Sequence, residues 1–284
     1  MSVNGDLDAT SSPVVFIHGG PGGTHTGFGG LTALADQRAV ILYDQLDSGM
    51  SDRPNDPANW RVARFVSELE DIRKALKIER WHIVGHSWGA AIALEYAAAH
   101  PEHVASTVLG GTFISTPHWI LGTNLLVRDL APEVQRNILA CEGDTPPRVE
   151  TCKAAGQAFS AAYNGRADAP PLPPEAKVYR DRTKGKGFNE TLYNSMWGPS
   201  EFSARSSLIG YDATPLLAKL DGTRTLFLVG QYDEARLDTV RDFVRLTPGA
   251  ELAVVPGGSH SFGAARPVET EGVLRGWLAR KDHR

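Results

Sequence analysis

The chain has 284 residues, 42% hydrophobic and 22% charged, with a formal net charge of −4. That length suits one large domain or a domain carrying an insertion, and the acidic balance gives no reason to expect a nucleic-acid or anionic-membrane partner. No apolar run is long enough to span a bilayer, no secretory leader or solenoid repeat is visible, and the default compartment is the cytoplasm.

In chain order, Pro13–Ile17 reads as a short buried strand, followed by His18-Gly19-Gly20-Pro21-Gly22-Gly23. A glycine loop there can turn a bare amide toward a reacting oxygen, and Gly20 is favoured over Gly19 as that donor. A phosphate-binding loop fits poorly, because neither G-x-x-x-x-G-K-[ST] nor a helix-opening G-x-G-x-x-G is present. Sequence leaves open whether the bond before Pro21 is cis. Ala39–Tyr43 is the next strand and leads into Asp44–Ser51. Val62–Leu76 carries apolar residues at Val62, Phe65, Val66, Leu69, Ile72 and Leu76, the period of an amphipathic helix.

Trp81–Val84 is a third strand. It runs into Gly85-His86-Ser87-Trp88-Gly89 and then the small-residue helix Ala90–Ala99. This is G-x-S-x-G in its required setting of strand, sharp turn and helix. Gly85 and Gly89 stand where a side chain would meet the neighbouring backbone, and the new helix points its N-terminus at the reacting centre. Ser87 is the candidate nucleophile, and the amide of Trp88 is the second oxyanion donor beside Gly20. Val104–Leu109 is a further strand. Strand–helix alternation of this kind predicts a parallel sheet covered by helices.

From about residue 113 to 211 the alternation stops. The segment is helix-like, with no convincing buried strand, and is interrupted by Ala169–Pro174 and Lys184–Gly187. The proline tract is favoured as a rigid connector over a disordered linker. An insertion of about a hundred residues between core strands reads as a lid that roofs the site. Cys141 and Cys152 flank a turn between two probable helices and are either bridged or two unrelated thiols. A bridge would point to export.

Alternation resumes at Thr225–Val229, which ends in Gly230-Gln231-Tyr232-Asp233-Glu234. Ala250–Val255 is the last strand, followed by Pro256-Gly257-Gly258-Ser259-His260, and Pro267–Ala279 is a closing helix. An acid and a histidine each lie just past a strand's C-terminal end, where open α/β sheets gather their chemistry. The order Ser, Asp, His makes Asp233 the orienting acid and His260 the base. His283, the remaining histidine downstream, sits in a polar tail.

These residues resemble the α/β-hydrolase fold and, within it, the proline iminopeptidase family. The resemblance covers nearly the whole chain. It rests on His18–Gly22, Tyr43–Gln45 with Ser48–Ser51, Gly85–Gly89, Gly230–Glu234 and Met196-Trp197-Gly198-Pro199-Ser200-Glu201-Phe202. It implies a core of residues 1–112 and 212–284, with a mainly helical cap of 113–211 inserted after the sixth core strand. It also implies that Glu201 and Glu234 bind the substrate's free α-amino group. Two carboxylates would hold an ammonium and reject blocked N-termini, since an amide would leave them desolvated and unpaired.

Two departures stand out. Relatives carry two strands ahead of the Pro13 strand, where this chain has about a dozen polar residues. Either the sheet edge is shortened or the sequence starts late, and an exposed edge could pair with another subunit, so a monomer or a small homo-oligomer is expected. Asp47 replaces the family's usual glycine and is expected to put a charge near the pocket rim.

The implied activity is release of an N-terminal residue, proline or another small or apolar one, from a peptide or aminoacyl amide, with no metal or cofactor. The alternatives are a carboxylesterase, lactonase or small-molecule aminoacyl amidase on the same triad, and a non-enzymatic receptor, against which the intact triad argues. Dehalogenase and epoxide hydrolase chemistry would need a carboxylate where Ser87 stands.

Overall fold

The structure is a computed structural model. It describes residues 1–166, 171, 174–182 and 187–282. The expectations for the Ala169–Pro174 tract, Lys184–Lys186 and His283 therefore fall on residues largely or wholly outside the described ones.

Seven strands form one sheet: β1 (Ser2–Asn4), β2 (Val14–Ile17), β3 (Val40–Leu42), β4 (Trp81–His86), β5 (Val104–Gly110), β6 (Thr225–Tyr232) and β7 (Glu251–Ser259). The spatial order is β1-β3-β2-β4-β5-β6-β7. Every neighbouring pair is parallel except β1 with β3. All residues of β2, β3 and β5 are buried, as expected of parallel strands covered on both faces. The two-residue period of a strand divides β2 between two cores: Val15 and Ile17 pack with α1 (Val62–Ala75) and α2 (Trp88–Ala99), while Val14 and Phe16 pack with the C-terminal helix.

Ahead of β2 the sheet edge is shortened, as expected, to one strand of three residues. The family's sixth core strand is therefore the fifth of this sheet. β7 continues through Pro256-Gly257-Gly258, which the sequence marked as loop. A proline is tolerated there because β7 lies at the sheet edge.

Between β5 and β6 lie α3 (Thr116–Val127), α4 (Pro132–Cys141), α5 (Val149–Tyr163), α6 (Pro174–Arg182) and α7 (Glu190–Met196). Among the described residues this segment adds only an isolated Ser115–Asp212 bridge to the strand content. It has its own small core of Val127, Ile138, Ala155, Phe159 and Phe202. Cys141 and Cys152 form a disulfide joining the end of α4 to the first turn of α5. After β6 come α8 (Leu237–Arg245), α9 (Phe262–Ala265) and α10 (Pro267–Lys281). No helix among the described residues is long and apolar enough to cross a membrane.

Candidate active site

Ser87 stands between the end of β4 and the start of α2 with φ 55° and ψ −124°, a left-handed conformation rarely held by a non-glycine residue. The turn is tight enough that its glycines are obligatory. A Cβ on Gly85 would lie 2.1 Å from Gly89 O, and one on Gly89 would lie 2.1 Å from Ile17 O. The Ser87 amide donates to Gly110 O at 2.8 Å, which pins the turn to β5. Trp88 opens α2, so its amide is among the helix's first N–H groups, which have no intrahelical acceptor. Its ring turns inward against Phe65 and donates from Nε1 to Gln45 Oε1 at 3.0 Å.

Asp233 lies just past β6 and is buried. Its Oδ1 accepts from the Ala235 amide at 2.8 Å and from His260 Nδ1 at 2.7 Å, and its Oδ2 accepts from the Gly230 amide at 3.0 Å. His260 is held from behind as well. Its amide donates to Tyr163 O at 2.7 Å, and its carbonyl accepts from His86 Nε2 at 2.7 Å. Gly111, at φ 48°, packs so close that a Cβ there would sit 2.8 Å from His260 Cε1. Burial alone would lower the His260 pKa, but the charges of Asp233 and Glu234 outweigh it and hold it up at about 9.

Ser87 and His260 line a cavity of about 330 Å³, and Glu201 and Glu234 line the same cavity. Glu201 comes from the segment after α7, is half-buried, and accepts the Tyr193 hydroxyl at Oε1. Burial pushes its carboxyl pKa up against that hydrogen bond. Glu234 is 3% exposed. Its Oε1 accepts from Asn164 Nδ2 at 2.9 Å and lies 3.5 Å from His260 Nε2. Burial is the largest cause of its rise to about 8, and the Glu201 and Asp233 charges add to it against the pull of His260. Phe113, Trp119 and Trp197 complete an aromatic wall, with Phe113 edge-on to both tryptophans and Trp119 edge-on to His260.

Gly20 also lines the cavity, with Gly19 beside it. The Gly20–Pro21 bond is cis. The Tyr43–Ser51 segment is the scaffold of this glycine loop. Gln45 donates from its amide to His18 Nε2 at 3.0 Å and from Nε2 to His18 O at 2.8 Å, while its Oε1 takes the Trp88 ring. One side chain thus ties the loop to the residue after Ser87. Asp44 accepts from His25 Nδ1 at 2.7 Å and from the His25 and Met50 amides at 2.9 Å. Burial opposes its charge, but these donors hold its pKa down at about 2.

The expectation for Asp47 is corrected. Asp47 is fully buried and does not line the cavity. Its carboxylate accepts from Trp60 Nε1 at 2.8 Å and the Asn55 amide at 2.7 Å. Its φ of 63° explains the family's glycine at this position. Aspartate tolerates that region better than most residues, and here internal hydrogen bonds fix it.

Seven residues were named from sequence. Four, Gly20, Ser87, Glu201 and Glu234, line the cavity together with His260; Asp233 backs His260 and Trp88 adjoins Ser87. Sequence reasoning missed His86, Asn164 and Tyr193. His86 was visible inside the motif, whereas Asn164 and Tyr193 lie in helical segments with no local signal.

A family model described as alpha/beta hydrolase fold matches residues 12–142. A proline iminopeptidase of Heyndrickxia coagulans is 35% identical over 275 residues, covering 96% of this chain and 92% of its own length. The chain belongs to the proline iminopeptidase family. A proline iminopeptidase of Levilactobacillus brevis is 30% identical over 99% of this chain and 92% of its own. The crystal structure of the Mycobacterium smegmatis proline iminopeptidase superposes with a TM-score of 0.86 at 28% identity, covering 99% of this chain and 94% of that one.

Proposed function

We propose that the chain is a serine aminopeptidase that releases an N-terminal residue, proline first among the candidates, from a peptide or aminoacyl amide. The observation that carries this reading is the placing of two carboxyls, Glu201 and Glu234, on the cavity that holds Ser87 and His260. A hydrolase for neutral acids has no use for that pair. The aromatic wall of Phe113, Trp119 and Trp197 suits a small apolar ring beside the amine. Residues 113–211 act as the cap over a core of 1–112 and 212–284.

The reaction is acyl transfer. Ser87 Oγ attacks the scissile carbonyl and its proton passes to His260 Nε2. Asp233 keeps the Nδ1 proton in place and stabilises the imidazolium. The Gly20 and Trp88 amides receive the oxyanion. The carbon–nitrogen bond breaks as His260 returns the proton to the leaving amine, and water then hydrolyses the acyl-enzyme by the same route in reverse. The steps require no metal or cofactor.

The test is a panel of chromogenic aminoacyl amides, proline and alanine among them, against their N-acetylated forms and simple esters. Turnover confined to free amines is expected. Efficient cleavage of acetylated substrates would replace this reading by an esterase or general amidase. The Cys141–Cys152 bridge favours an oxidising compartment over the cytoplasmic default. Alkylation of both thiols in freshly lysed cells without reductant would restore the cytoplasm.

A further inference from the structure

The proposed mechanism needs the lone pair of His260 Nε2 for the Ser87 proton, yet that atom faces Glu234 Oε1 at 3.5 Å. The charged and titratable groups around the ring come from three elements. Asp233 and Glu234 lie in the loop after β6, Glu201 in the segment after α7, and His86 in the turn after β4. Trp119 of α3 is the uncharged neighbour. Three carboxyls therefore surround one imidazole. His86, a basic neighbour of the ring, is kept neutral, since burial lowers its pKa to about 3.

We propose that Glu234 holds His260 protonated, and so unable to act as a base, while the site is empty, and that the substrate's ammonium group releases it by taking Glu234 and Glu201 as its own partners. This rests on the amine-binding reading above and deepens it: the charge that is recognised also switches on the chemistry. The balance is the one proton of His260, together with any that burial retains on Glu234 and Glu201. On binding, the imidazolium gives its Nε2 proton to solvent and regains the lone pair, while the ammonium keeps its protons against the two carboxylates. The Ser87 Oγ proton then moves to that lone pair as the Oγ–C bond forms. A second cavity of about 400 Å³ shares Asn164, Glu201 and Glu234 with the first and reaches them from the side of α4 and α5.

The charges of the surrounding carboxylates outweigh burial and raise His260 to about 9, so without substrate the site carries this proton at neutral pH. A neutral ester or an N-acetylated peptide has no charge with which to expel it and meets a base already occupied. Blocked N-termini then lose turnover as well as binding. By linkage, a ligand that lowers the proton affinity of His260 releases protons when it binds.

The first test is calorimetry of L-prolinamide binding to the inactive Ser87→Ala protein at pH 7, in buffers of different ionisation enthalpy. Release of one proton or more per ligand is expected, shrinking when Glu234→Gln is added. The second is the pH dependence of wild-type turnover. With a free-amine substrate, the acid limb of kcat should lie about one pH unit or more below that of kcat/KM, which reports the free enzyme. With a neutral ester the two limbs should coincide. Glu234→Gln should move the ester limb down by about 1–3 units, the effect of removing one close carboxylate, and so raise ester turnover at pH 6 while lowering turnover of free amines. No proton release, coincident limbs for both substrates, or an unmoved ester limb would each overturn the switch. A Glu234→Gln variant that kept full kcat/KM on free amines would instead overturn the amine-binding reading. If that variant does not fold, the wild-type limbs and the Ser87→Ala calorimetry decide alone.

Discussion

Ser87 is fixed by backbone packed on backbone and His260 by backbone and side-chain bonds together, whereas Glu201 is fixed by a single side-chain hydrogen bond at the edge of a helical segment. On the sheet side, the Gly89 and Ile17 carbonyls sit where a Cβ on Gly85 or Gly89 would go, and a Cβ on Gly111 would meet the His260 ring. On the other side, Glu201 relies on the Tyr193 hydroxyl and Glu234 on the Asn164 amide. The first construction leaves no slack where the reacting atoms must align. Under the proposed mechanism, the second would allow the partner of the amine to adjust to what enters. Catalysis and selectivity would then rest on different kinds of contact and should respond differently to substitution.

The sharpest way to break that division is on the sheet side. We expect Ser87→Ala and His260→Ala each to reduce kcat by a factor on the order of 10⁶ while leaving the fold intact, as for the nucleophile and base of comparable triads. Circular dichroism alongside turnover checks this; near-normal turnover of Ser87→Ala would remove Ser87 as the nucleophile. On the insertion side, the Cys141–Cys152 bridge closes a short loop, and its replacement by two serines should cost about 2–4 kcal/mol. The loss should be confined to α4 and α5. Hydrogen exchange that loosened β4 and β5 equally would show that the two regions unfold as one.

Smaller effects sharpen the comparison. Glu201→Gln should lower kcat/KM on free-amine substrates by roughly ten- to a hundredfold, the loss of one charge-assisted hydrogen bond of about 1.5–3 kcal/mol. Activity on neutral esters should change little. Equal losses on both would mean that Glu201 only supports the fold. Asn164→Ala should cost about 1–2 kcal/mol by leaving buried Glu234 without its amide donor. A drop in kcat/KM of about tenfold with kcat reduced less is the expected split. An unchanged profile would dissociate Asn164 from the amine site.

The sheet was readable because parallel strands buried on both faces are continuous apolar runs, and because the turn at Ser87 permits so few residues that its motif carries the geometry. Asp233 and His260 followed from chain order at the ends of strands. The rest depended on tertiary placement. Pro256-Gly257-Gly258 reads as a turn by composition, and only its position at the sheet edge makes it strand. Asp47 reads as a surface charge, and only its left-handed backbone and the Trp60 ring bury it. Asn164 carries no pattern of its own. Its role exists because α5 ends beside the His260 loop.

That meeting point has a mechanical consequence. The carbonyl of Tyr163 takes the His260 amide, and the carbonyl of Asn164 takes the Ser259 hydroxyl at 2.6 Å and the Ser261 amide at 3.0 Å. The Asn164 side chain meanwhile spans from Glu234 to Ser261 Oγ. The end of α5 is thus riveted to the loop that carries His260. The helical segment cannot lift on this side without dragging His260 off Asp233. We expect substrate to pass instead beside Phe188, which lines the cavity and is 50% exposed. A cross-link across the rim there should trap product inside, while one across the riveted seam should be silent.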